Sequence, residues 1–195
     1  MILDQLSFIP ILLIILCSLQ LVASQNWKMN IIALAIQYFA VFWLIGQLWP
    51  LGQAAVKLVS GWMVCSLLGS SQPIAELIAD PDFDLFARLF RLLAIILTEI
   101  FVYAITPLIA HWFPANPTIL LGGTMLFGSG LIILGVNGKP LKVIIGLLTT
   151  LSGFEVLYAS IEASVLVTGL LAIVNLGLAL VGSYIVSIAT LERNQ

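Results

Sequence analysis

Residues 91–112 read RLLAIILTEIFVYAITPLIAHW. Between Arg91 and His111 the only charged side chain is Glu99, inside Ile95-Ile96-Leu97-Thr98-Glu99-Ile100-Phe101. A helix needs about 20 mostly apolar residues to cross the hydrocarbon core of a bilayer, and this run supplies them. It reads as a membrane-spanning helix with one carboxyl at mid-depth.

The rest of the chain has the same character. Of its 195 residues 62% are hydrophobic and 8% are charged. A soluble domain carries about a quarter charged residues, so this composition cannot present a wettable exterior and excludes a soluble globular protein. The net charge of −2, with seven scattered Lys and Arg, excludes nucleic acid as a partner. Cys17 and Cys65 both fall in apolar runs, where a free thiol behaves as a small hydrophobe.

Charge, Pro and Gly punctuation divides the sequence into seven apolar segments, at 6–24, 29–48, 51–69, 91–112, 118–136, 141–160 and 163–189. The first ends in Val22-Ala23-Ser24, like a signal peptide, but has Asp4 and no basic residue ahead of it, and so reads as a span. The expected fold is an all-α polytopic membrane bundle of about seven helices, one integral domain over 1–195 in contact with the lipid bilayer.

Positive residues orient it. Lys28, Arg88, Arg91, Lys139, Lys142 and Arg193 fall in connections on one side, whereas those near 49–51, 111–117 and 160–163 contain neither Lys nor Arg. The positive-inside rule then puts the N-terminus outside and the C-terminus inside. The long connection, 70–90, places Phe83, Phe86, Leu89, Phe90 and Leu93 at helical spacing, the pattern of an amphipathic helix lying in the inner interface and running into the fourth span.

Charge at membrane depth costs about 2.5 to 3.5 kcal/mol per residue even on lenient insertion scales, so each case calls for a reason. Lys57 in the third span, Glu99 in the fourth, Glu155 in the outer half of the sixth and Glu162 at its outer end or in the next turn are those cases. Seven residues return a helix to within about 20°, so Leu148, Ser152, Glu155, Ala159 and Glu162 share one face, the two carboxyls about 10 Å apart along the axis. Leu92, Glu99, Tyr103 and Thr106 form a face of the fourth span, and Gln53, Lys57, Ser60, Gly61 and Val64 one of the third. Ser164, Thr168, Ala172, Asn175, Ala179 and Gly182 run down the seventh; Asn175 and Gln37 read as helix-contact polar groups.

Low dielectric favours the neutral form of a carboxyl, which suits such groups to serve as proton stations modulated by a nearby Lys. The plainer alternative is that Lys57 neutralises Glu99 or Glu155 and holds helix register. His111 beside Trp112 has no ligand partner at metal spacing and reads, with Trp27 and Trp49, as an interfacial residue. The sequence carries neither a second haem ligand, a Gly-rich phosphate loop nor a nucleophile elbow, so it points to no cofactor and no autonomous enzyme.

Leu131-Ile132-Ile133-Leu134-Gly135-Val136-Asn137-Gly138-Lys139-Pro140-Leu141-Lys142-Val143-Ile144-Ile145-Gly146-Leu147, followed by Leu171-Ala172-Ile173-Val174-Asn175-Leu176-Gly177-Leu178-Ala179-Leu180, resembles the three-helix K subunit of respiratory complex I and its relatives in antiporter and membrane-hydrogenase complexes. The resemblance covers about 118–190. With Ile32-Ala33-Leu34-Ala35-Ile36-Gln37 and a Lys inside the third span, the layout is also similar to the E component of hydrogenase-4, in which extra N-terminal helices (here 1–69, a connector at 70–90 and a fourth helix at 91–112) precede a K-like triplet. The resemblance implies a non-catalytic membrane subunit of an ion-translocating oxidoreductase or antiporter complex. Its partners would be larger antiporter-like subunits, in a bacterial-type plasma membrane or another energy-transducing membrane. The family's two intramembrane glutamates correspond to Leu148 and Asn175 in this chain, which leaves Glu155, two turns beyond Leu148, with Glu99 and Lys57 as candidates for a polar path. The competing expectation is a stand-alone secondary transporter or channel, against which an odd span number without duplication argues.

Overall fold

The structure, a computed structural model, describes residues 8–71, 85–112, 115–136 and 138–193, with side chains through Ile188. Seven helices are present among the described residues: α1 Phe8–Ala23, α2 Trp27–Ile45, α3 Leu51–Ser70, α4 Leu85–Ala110, α5 Pro117–Val136, α6 Pro140–Ala159 and α7 Val165–Arg193. Six of them, α2 to α7, are long and apolar enough to cross a membrane, and α1 is a shorter apolar helix of 16 residues among the described ones. The chain is an integral multi-pass membrane protein.

Local chemistry sets the helix starts. Asn26 caps α2 by accepting from the Lys28 backbone N–H at 3.0 Å, and Asn116 does the same for Thr118, at 3.0 Å, ahead of Pro117 in α5. Pro140 opens α6 after an extended Lys139, where the missing N–H costs nothing. The amphipathic segment and the fourth span are one helix, since α4 runs unbroken from Leu85; residues 72–84, with Glu76, Asp80, Asp82, Phe83 and Asp84, lie outside the described part.

The helices form two layers. One holds α4, α1, α2 and α3 side by side, the other α5, α6 and α7, with α1 crossing onto α5, α2 onto α6 and α3 onto α7. Two apolar clusters fill the space between layers. One gathers Leu21, Leu34, Leu68, Ile145 and Val186 near the end that carries the basic residues, the other Ile14, Leu44, Trp49, Ile119 and Val156 towards the opposite end. Successive helices therefore alternate in direction.

The closest approach is α5 against α6. A Cβ on Gly153 would fall 2.8 Å from Phe127 Cα, and one on Gly130 2.8 Å from Thr150 Cα, so only glycine admits the neighbouring backbone. The outer faces of α4 and α7 are apolar and exposed, with Phe86, Leu97, Phe101, Leu166, Ile173 and Tyr184 pointing outward, as lipid contact requires.

Three expectations change. Tyr103 does not share the face of Glu99: the buried stripe of α4 is Ile95, Glu99, Val102 and Thr106, and Tyr103 is exposed, because residue 102 rather than 103 follows the seam against α5. Trp49 stands at the helix ends, beyond α2, but turns into the protein rather than outward: it is buried, and its indole N–H caps the end of α6 by donating to the Ala159 carbonyl at 3.2 Å. Glu162 lies off the face of Glu155, because α6 stops at Ala159; it sits exposed in the following turn and accepts from Tyr158 Oη at 3.3 Å.

Candidate functional site

Lys57 and Glu155 meet. The Lys57 ammonium forms an ion pair with Glu155 Oε2, joining α3 to α6, and both side chains are about 95% buried. Glu155 Oε1 accepts from Asn175 Nδ2 on α7 at 2.7 Å. Asn175 Oδ1 in turn accepts from Tyr38 Oη on α2 at 3.4 Å. The Lys57 ammonium stands 5.2 Å from the centre of the Tyr38 ring, which closes a ring of contacts across four helices.

Sequence explains how the ring closes. Gly61 lies one turn beyond Lys57, and a side chain there would strike the Tyr38 ring, so its absence lets the ring lie flat on α3 beside the ammonium. Thr168, Asn175, Ala179 and Gly182 are the buried stripe of α7, and this small-residue seam brings Asn175 within reach of Glu155. Taking two charges out of water costs several kcal/mol each, so the pair persists only because attraction, the Asn175 hydrogen bond and the aromatic face offset that cost together.

A small cavity of about 20 Å³, the room of about one water, adjoins the pair. Ile45, Trp49, Thr168 and Leu171 line it on the side away from the basic end.

Two further polar contacts continue from the ring towards the basic end. Thr149 Oγ1 on α6 donates to Gln37 Oε1 on α2 at 3.2 Å, and both are buried. One heptad earlier on the same two helices, the Lys142 ammonium donates to Asn30 Oδ1 at 2.9 Å and to the Leu21 carbonyl near the end of α1. The polar line thus runs along α6 from Lys142 to Glu155, about 20 Å at 1.5 Å per residue, most of the hydrocarbon thickness. Gln37 Nε2 has no partner among the described residues.

Of the residues singled out from sequence, Lys57, Glu155 and Asn175 come together, and Gln37 stands next in the line beside Tyr38. Glu99 does not join them. It faces the α1 and α5 side of α4, buried, with neither carboxyl oxygen hydrogen-bonded among the described residues. Glu162 is exposed at the outer turn. Sequence reasoning passed over Tyr38, Thr149, Asn30 and the burial of Lys142. The signal was there in the matched heptads Asn30/Gln37 and Lys142/Thr149.

No protein-family model, curated protein or solved structure matches this chain. Its function has to be read from its own side chains. The ring sets an acid and a base side by side, with the cavity on one side and Gln37 and Thr149 on the other.

Proposed function

We propose that this chain is an integral membrane subunit of a multisubunit ion-translocating oxidoreductase or antiporter complex, and that its line of buried polar side chains takes part in moving protons. The observation that carries this reading is the closed ring Lys57, Glu155, Asn175 and Tyr38 at membrane depth. Ionisable groups are kept inside a bilayer against a substantial penalty, and their usual return is a proton or ion path. Resemblance to K-type subunits adds support: Asn175 stands where that family has a glutamate, and here it holds a carboxylate, Glu155, by hydrogen bond. Redox cofactors would belong to other chains of the complex, in an energy-transducing membrane.

The test is purification of the tagged chain, at its native level, from mildly solubilised membranes. The expected result is copurification of larger membrane subunits. A stable monomer without companions contradicts the proposal, and proton uptake by that monomer in proteoliposomes would make it a self-contained transporter instead.

A further inference from the structure

The basic end of the bundle holds a second cluster that the ring does not use. Lys142 is 98% buried there, yet its only partners among the described residues are neutral, the Leu21 carbonyl and Asn30 Oδ1. Arg91, in the second turn of α4, reaches Gln25 just past the end of α1, one turn beyond the Leu21 carbonyl that holds Lys142, and Lys139 lies three residues before Lys142. Arg91 is held in place: its Nε donates to the Ala87 carbonyl at 3.2 Å, and the Gln25 amide oxygen, turned towards the guanidinium, accepts from Nη1 at 2.7 Å and Nη2 at 3.2 Å. Three cations from α4, α6 and the turn before α6 therefore converge, and among the described residues the ion pair formed is that of Lys57, not of any of these three.

We propose that Arg91 and Lys139, backed by the buried charge of Lys142, form a binding site for the phosphate of an anionic phospholipid headgroup. Converging cations with fixed guanidinium geometry are what a phosphate recognises, and basic pockets between spans at the membrane surface take such headgroups. The surroundings favour a lipid over free phosphate. Phe86, Leu89, Phe90 and Leu93, on the same turns of α4 as Arg91, are exposed apolar side chains on which acyl chains would lie. This inference stands independently of proton movement.

The experiment uses the purified full chain in nanodiscs of phosphatidylcholine with added phosphatidylglycerol, with bound lipid counted by native mass spectrometry. Each basic group near an anionic headgroup is worth roughly five-fold in affinity. Arg91→Gln and Lys139→Gln are expected to weaken phosphatidylglycerol retention about five-fold each and the double variant about twenty-five-fold. Exposed Arg88→Gln, one turn before Arg91, reports general surface charge and is expected to cost less than Arg91→Gln, since it is Arg91 that the Gln25 amide holds in the cluster. Lys139 is itself exposed, so its variant keeps the fold and the test decides even if Arg91→Gln does not fold. Unchanged retention in Lys139→Gln, or an equal loss in Arg88→Gln, overturns the site. Displacement of phosphatidylglycerol by inorganic phosphate at equal concentration would assign the site to free phosphate and overturn the lipid reading.

Discussion

Asn175 donates to one oxygen of Glu155 at 2.7 Å while Lys57 holds the other. The carboxylate is thus fixed from α7 and from α3 at once, and Glu155 pins three helices to one point between the layers. Removing one member of a buried ion pair leaves the other charged and unpaired, which costs about 3–5 kcal/mol. Glu155→Gln should therefore lower stability by about that amount, and Lys57→Met in the same chain should recover most of it. Thermal or denaturant unfolding of the two single variants and the double variant in detergent gives the coupling; strictly additive losses would mean the pair does not act as a unit.

Asn175→Leu keeps volume but withdraws the donor from Glu155 and the acceptor from Tyr38. A hydrogen bond to a charged group contributes about 1.5–3 kcal/mol, so a loss in that range is expected, against a much smaller effect for Asn175→Gln if the longer amide still reaches Glu155. Melting in detergent separates the two.

Glu99 predicts the opposite sign. Its carboxyl is buried without a hydrogen-bond partner among the described residues, so Glu99→Leu removes an unsatisfied polar group from an apolar site. Stability should rise, by about 1–3 kcal/mol. A fall in melting temperature would show that the carboxyl is held by a partner in the membrane.

The α5–α6 contact gives a packing test. Gly153→Ala places a methyl against the Phe127 backbone, which cannot yield as a side-chain tip can, and should cost about 1–3 kcal/mol. At Gly135 a methyl meets nothing within 4 Å, so Gly135→Ala should be neutral or gain up to about 1 kcal/mol from helix propensity. Similar effects at both positions would contradict the close approach.

Most of the fold is legible in the apolar runs. The helices at 51–70, 117–136 and 140–159 fall within a residue or so of the spans read from charge and Pro positions, because those residues set where a chain leaves the bilayer. The site was legible only in part. That Lys57, Glu99 and Glu155 are unusual follows from their cost in lipid. Which carboxyl Lys57 meets does not, since it depends on α3 lying against α7 while α4 packs on α5 and α1, a matter of layer order that no single helix encodes. Asn175 read as a packing residue because a small-residue stripe around it gives the same pattern whether or not an acid faces it. Lys142 read as a mark of orientation, and its burial arises because α1 ends beside it and offers a free carbonyl.

The most direct test of the account is proton pumping by native membranes that carry the Lys57→Met/Glu155→Gln double variant, compared with wild type at equal assembly on native gels. This variant removes both charges without stranding either. The account predicts an assembled complex whose initial rate of proton pumping under turnover falls at least about ten-fold, equivalent to about 1.4 kcal/mol in the rate-limiting barrier. A wild-type pumping rate from the charge-free ring would contradict it and leave Lys57 and Glu155 as structural contacts alone.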